Sequence, residues 1–399
     1  MSRVPWQIAV LLVATLSPVA TSSTVGAVDA TTTRTVGAVD AEPSCDDEPI
    51  TDDWLDETFD EGLGALGGVG PAMMGADYQR AFPLDDGRVL WVFQDAYVEL
   101  DGNTHLVHNA GAIQTGSCFH VLIGDERGTA PWVAADETID FQRWYWPLDG
   151  YQADDDTFVL FVAEMEEPGG SYLTHSIPQS TWMVEIDLDT LGEPSAVGEL
   201  EPAPDPTDAL YGFEITEDDT HRYFYAQCHR QFGFGWLGHD ECTSDVTIAR
   251  QPLDAPDVPL EYWDGDRWQR NSRAATNIAP TTLPDGTPRH ANPMQIERDG
   301  DRWIAVTKVD DWWSDAVVFD VAPSPEGPWT TTSVRTIASV GPTEADGVPH
   351  DETVASYFVS FVPSDDAGMT LAVSNNRWDG QRSDWYRPRF DTVPTRVWQ

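Results

Sequence analysis

Asp77 and Asp95 flank a turn, Leu84-Asp85-Asp86-Gly87-Arg88, whose residue types suit a tight chain reversal. If the loop is the three residues Asp85-Asp86-Gly87, with the glycine left-handed, Leu84 faces Arg88 across the hairpin. The same register sets Asp77 opposite Asp95 at the far end of the two strands, with Cβ atoms roughly 4.5–5.5 Å apart. Like charges directly opposite one another destabilise a sheet, so a fold that keeps such a pair has a use for it. Mutual repulsion and partial burial favour one ionised and one protonated carboxylate near neutral pH. An acid for a leaving oxygen, with a base or nucleophile for an anomeric carbon, is the equipment of glycoside hydrolysis. The competing reading is two surface acids in a chain that holds 68 Asp and Glu. A one-residue slip of register would also put them on opposite faces.

Asp77 and Asp95 each lie nine residues from Asp86, and equivalent turns recur along the chain. An apolar or aromatic run, an acidic turn and a strongly apolar run centre on Asp86, Asp155, Asp219, Gly300 and Ala367. The same offset before these turns falls at or beside Trp146, Tyr211 and Asn292, and after them at or beside Glu164, Lys308 and Asn376. Trp146 and Tyr211 suit stacking on sugar faces, and Asn292 and Asn376 offer both donor and acceptor to hydroxyls. Lys308, the chain's single lysine, would orient a carboxylate or depress its pKa. Packing between sheets and strand capping are the structural alternatives for these residues. Glu164 and Glu214 are the reserve candidates for a general acid. Asn109, beside His108 after the first hairpin, is placed at the mouth of the same site. The aromatic loop Phe232 to Trp236 and the Trp312-Trp313 pair fit either a sugar platform or plain packing.

Helical periodicity is almost absent beyond the N-terminus, and short β-rich runs separated by Asp/Gly turns dominate. Five recurrences of a roughly four-stranded unit predict an all-β, five-bladed β-propeller with four-stranded antiparallel blades over residues 62–399. A two-sheet sandwich is the alternative, but it has no need of so regular a period. With 41% hydrophobic residues and 17 Trp, the chain can build an extensive core. Its 22 Lys and Arg against 68 Asp and Glu give a formal net charge of −46, which repels phosphate backbones and disfavours nucleic-acid and anionic-membrane partners. The same excess is what a saline habitat selects on a hydrated surface.

Arg3, the apolar stretch Ile8 to Leu16 and the small residues around Ser17 to Ala20 follow the pattern of a secretory signal peptide over residues 1–23. An uncleaved anchor is the rival reading. Thr24 to Ala30 recurs identically at Thr35 to Ala41, and residues 24–61 are read as a low-complexity acidic linker. Four cysteines in an exported chain suggest two disulfides with three possible connectivities. Cys228 and Cys242 bracket a short loop and make the favoured pair. That pairing leaves Cys45 with Cys118, stapling the N-terminal segment to the body. No cofactor or metal is expected. His105-x-x-His108 lacks a third ligand, and Asp154-Asp155-Asp156 lacks the spacing of a calcium loop, so a structural calcium ion finds no support. The expected partner is an oligosaccharide or polysaccharide met by an extracellular monomer, with no nucleic acid and no integral membrane segment.

Gly75-Ala76-Asp77, the turn Leu84 to Arg88 and Leu90-Trp91-Val92-Phe93-Gln94-Asp95 resemble the first blade of a bacterial five-bladed propeller family. That family was long catalogued as a domain of unknown function and includes endo-D-arabinanases. Ser324-Pro325-Glu326-Gly327-Pro328-Trp329 resembles the blade-end motif of furanosidase propellers such as glycoside hydrolase family 43. The resemblance runs from about Met74 to the C-terminus, and the first-blade motif is its most specific part. It implies that Asp77 and Asp95 are the catalytic pair and that the substrate is a furanose-containing, arabinan-like polysaccharide. The family usually carries Gly-Asp-Thr where this chain has Gln94-Asp95-Ala96, so the bulkier Gln94 is expected to narrow the pocket. A non-catalytic carbohydrate-binding propeller is the alternative function, and a protein-interaction scaffold a third.

Overall fold

The computed structural model describes residues 45, 49–64, 71–100, 102–124, 130–134, 143–166, 177–192, 194–200, 209–228, 246–256, 258–289, 295–308, 316–336, 354–377 and 386–394. The signal-like segment, the tandem repeat, the aromatic loop after Cys228, Cys242, Asn292 and Trp312-Trp313 lie outside them.

Each of the five turns anticipated from the sequence joins the first two strands of an antiparallel sheet. The first sheet orders Arg80–Pro83, Val89–Phe93, Ala110–Thr115 and Cys118–Leu122. The second is Arg143–Gln152, Thr157–Glu166, Ile177–Asp187 and Ser195–Glu199. The third, Ala209–Glu217, His221–Cys228, Val246–Pro252 and Glu261–Trp263, gains a short fifth strand, Trp268–Gln269. Gln295–Asp299, Arg302–Lys308, Ala316–Ala322 and Thr330–Thr336 form the fourth. The fifth has three strands among the described residues, Val354–Val362, Met369–Arg377 and Arg389–Val393. A further three-stranded sheet, Ala72–Ala76, Ala96–Leu100 and Asn103–Val107, extends the first hairpin beyond the two aspartates. The protein is therefore all-β, with units close to the four strands expected.

Runs such as Val89-Leu90-Trp91-Val92-Phe93 are apolar at every position because these strands bury both faces. Leu90 and Val92 pack towards the second sheet against Leu160 and Val162, whereas Trp91 and Phe93 pack with Val362, Ala372 and Phe390 of the fifth. Phe161 and Phe224 join the second and third sheets, Ile248 and Ala305 the third and fourth, and Val306 and Val373 the fourth and fifth.

Polar side chains tie the same neighbours together. Gln94 Nε2 donates to Pro147 O (3.0 Å), joining the first and second sheets. Ile215 N donates to Asp149 Oδ2 (2.5 Å), and Ile296 N to Glu214 Oε1 (2.8 Å). Phe361 N donates to Gln295 Oε1, and Ser360 Oγ donates to Gln79 O (2.5 Å), which returns from the fifth sheet to the first. Gln94, expected to narrow a pocket, is instead buried and spent on this stapling.

The stretch read as linker through Glu61 ends in a helix, Asp52–Glu61. Thr51 caps it by accepting from Trp54 N (3.2 Å). Leu55 and Phe59 enter the core, where the Phe59 ring lies 5.4 Å from Trp91 and 5.1 Å from Phe390. Two helix carboxylates accept backbone N–H groups of the strand Arg389–Val393: Asp56 from Phe390 (2.9 Å) and Asp52 from Thr392 (3.1 Å). An edge strand with unpaired donors is thereby covered. The acid-rich composition hid this helix, because its acids are spent on capping a sheet. Cys45 is bonded to Cys118, as the cysteine spacing suggested.

Candidate active site

The first hairpin has the register derived from its turn. Leu84 N donates to Arg88 O (2.8 Å), Gly87 takes φ 88°, and the pairs run from Pro83 with Val89 to Arg80 with Val92. Between Arg80 and Asp77 the chain kinks at Tyr78, a non-glycine residue at φ 56°. Surrounding contacts hold this conformation. Tyr78 N donates to Ser374 Oγ (3.0 Å), and its ring stacks on Phe358 with centroids 3.9 Å apart.

After the kink Asp77 faces Asp95. Asp77 N donates to Asp95 O (2.9 Å), Asp95 N donates to Asp77 Oδ1 (2.8 Å), and Ala76 with Ala96 resumes the ladder. Both acids are buried, 8% and 3% exposed. Asp95 Oδ1 also meets Trp146 Nε1 (3.0 Å) and His108 Nδ1 (3.1 Å). Tyr386 comes from far along the chain: its carbonyl accepts from Ala76 N (2.9 Å), and its ring stacks on Tyr97 at 5.5 Å. Burial, then the negative charges of Asp95 and Asp77, push its phenol far above the ordinary tyrosine range. One buried ring thus feels both acids.

Beneath the kink lies a second acid group. Arg80, fully buried, contacts Glu214 Oε2 (2.5 Å) and Asp149 Oδ2 (3.4 Å), donates to Phe213 O (3.0 Å), and is surrounded by the rings of Tyr78, Phe213 and Phe358. Burial pushes the Asp149 carboxyl up and that of Glu214 well up, with the Arg80 charge opposing both shifts. Glu297 on the fourth sheet is exposed.

Of the residues anticipated from the sequence, Asp77, Asp95 and Trp146 come together. Asn109 does not take the place expected of it. Its side chain is fully buried and saturated, accepting from Val133 N (2.6 Å) and donating to Val133 O (3.0 Å) and Tyr145 O (2.9 Å). Its neighbour His108 faces the acid instead. Glu164, 7% exposed, meets Arg143 (3.4 Å) and Ser180 (3.2 Å) at the same end of the second sheet. Glu214, the other reserve acid, is locked to Arg80. Tyr211 packs within its own sheet, its hydroxyl accepting from Thr247 Oγ1 (3.1 Å) and its ring edge-on to Tyr262 at 5.2 Å. Lys308 is 1% exposed at the end of its strand. Asn376 pairs through its backbone with Ala355, and its side chain lies outside the described atoms. Among the described residues no group of three or more His, Cys, Asp or Glu is arranged to hold a metal, and no helix is long and apolar enough to cross a membrane.

The fold and this site define an all-β protein of repeated antiparallel sheets with a buried carboxylate pair at one end of its first hairpin. The chain belongs to the family described as Domain of unknown function (DUF5005), which it matches over residues 68–394. No curated protein matches it significantly by sequence. Among solved structures it is similar to a Bacteroides ovatus protein described as a candidate hydrolase: 16% identity, TM-score 0.61, covering 84% of this chain and 88% of that one. That likeness shows the fold. An α-L-arabinofuranosidase from Lactobacillus brevis (10% identity, TM-score 0.47, 80% and 90% covered) and the GH43_1 enzyme from Xanthomonas citri complexed with xylotriose (14%, 0.45, 85% and 92%) are more distant.

Proposed function

We propose that the protein is an exported glycoside hydrolase, a closed five-bladed propeller that cleaves a furanose-containing, arabinan-like polysaccharide with Asp77 and Asp95. The observation that carries this reading is the buried Asp77–Asp95 pair, with Trp146 bonded to one member. The cyclic succession of cores and side-chain staples, from the first sheet round to the fifth and back, supports closure. In such a propeller the first strands line a channel, and the site lies at the end away from the hairpin turns.

Asp95, whose Oδ1 accepts from Trp146 Nε1 and lies 3.1 Å from His108 Nδ1, serves as base or nucleophile. Asp77 is the acid that protonates the leaving glycosidic oxygen as the bond to the anomeric carbon breaks. The hydroxyl that completes the released sugar comes from water. If Asp95 activates that water directly, the anomeric configuration inverts, and if Asp95 first bonds the carbon it is retained. Trp146 supplies an aromatic edge beside Asp95 for the sugar, and export would place the protein with extracellular polysaccharide and an intact Cys45–Cys118 bond.

The test is incubation of the full chain with arabinan and arabinogalactan panels beside the Asp95→Asn variant. Release of oligosaccharides by the wild type only is expected. Binding without release by either protein would favour a carbohydrate-binding module.

A further inference from the structure

We propose that His108 is a positioning residue for Asp95, donating Nδ1–H to Oδ1 and so holding that carboxylate fixed beside Asp77. The inference rests on the catalytic reading of the pair given above. An ionised carboxylate only accepts, so a 3.1 Å contact between Nδ1 and Oδ1 requires the hydrogen on Nδ1. The ring is held in place on two sides. It stacks on Trp144, with centroids 4.6 Å apart and 25° between planes. Its backbone is clamped by the next residue, since the Asn109 amide binds Val133 and Tyr145 and Asn109 O accepts from Trp132 N (3.3 Å). The amide expected to touch substrate therefore builds the bend that presents His108.

Trp146 Nε1 supplies a second donor to the same oxygen, but an indole donor does not titrate in the working pH range. Of the two, only the imidazole can gain or lose a proton there. Asp95 meets the ring through Oδ1, with Asp77 bonded to Asp95 N across the kinked strand. The second sheet contributes uncharged Trp144, stacked on the ring, and Trp146, bonded to the same Asp95 oxygen.

Two arms test this on the full chain. In imidazole 15N NMR the chain has nine histidines, and the His108 signals are assigned by their loss in His108→Asn. The expected result is an Nδ1-protonated ring at neutral pH whose signals shift in Asp95→Asn. An Nε2–H tautomer, or signals indifferent to Asp95→Asn, would overturn the proposal whether or not the protein cleaves sugars. In the kinetic arm His108→Phe keeps the stack and loses the donor, while His108→Asn restores an N–H near the Nδ1 position. His108→Phe should lower kcat about tenfold with KM little changed. His108→Asn should recover most of that loss. Equal losses in the two variants would mean a packing role only and would overturn the proposal. Failure of the wild type on every glycan would sink the hydrolase reading, leaving the NMR arm to decide the His108–Asp95 pairing.

Discussion

Asp56 offers a test of the helix that covers the fifth sheet. Its carboxylate is half-buried against the strand Arg389–Val393, and burial is the main reason its pKa rises from 3.8 to about 6. Arg389 and the Phe390 N–H oppose the rise, and Asp60 and Asp52 add to it. Because the folded state holds the proton more tightly than the unfolded chain, the uncharged form favours folding. That contribution is complete below the unfolded pKa near 4 and is lost as pH climbs through about 6. A shift of about two units corresponds to at most ~3 kcal/mol, and discounting for the solvent that still reaches the group leaves about 1–2 kcal/mol. Asp56→Asn removes the charge and keeps an acceptor for Phe390 N–H. At pH 8 the variant should therefore unfold at higher urea than the wild type, by about 1–2 kcal/mol, and the advantage should vanish near pH 4. Urea titrations monitored by tryptophan fluorescence at both pH values make the comparison. A variant less stable at pH 8, or a difference that ignores pH, would refute the argument that this carboxylate is buried in the fold.

Other consequences concern charge and covalent structure. Arg80→Met strands Asp149 and Glu214 without their cation and should cost about 3–5 kcal/mol, part of which Glu214→Gln in the same chain should return. Calorimetry on the two variants reads this, and a double variant no better than the single one would contradict it. Replacing Cys45 and Cys118 by Ser removes a link between residues 73 apart and should cost about 4 kcal/mol by loop entropy, read from denaturation midpoints against the wild type with its disulfide intact. Self-repulsion from a net charge of −46 should make Tm climb between about 0.1 M and 1 M NaCl, where the screening length falls from about 10 Å to about 3 Å. A flat Tm over that range would mean the charge does not strain the fold.

The first hairpin was legible because turn chemistry and strand period act locally. Gly87 accepts the left-handed conformation, the register follows, and Asp77 must meet Asp95. The turns at Asp155, Asp219, Gly300 and Ala367 were readable for the same reason, as was the doubly buried character of the runs after them. Residues that act across the fold left no comparable trace. Tyr386 reaches the two acids from the far end of the chain, and Arg80, Asp149 and Glu214 converge from three sheets. His108 meets Asp95 whereas Asn109 turns into the core, and spacing alone did not say which of the two faces the acids. The buried partners Val133 and Tyr145 decide that. The helix Asp52–Glu61 was hidden by its own acids, which composition assigns to solvent and the structure assigns to the edge of a sheet.

The central claim is that Asp77 and Asp95 form a catalytic pair, and product release from arabinan by wild type and Asp95→Asn, both shown to be folded, tests it most directly. The account predicts oligosaccharides from the wild type and a rate lower by at least about a hundredfold in the variant, since an amide neither accepts the proton nor attacks the anomeric carbon. Equal product release by the two proteins would contradict it.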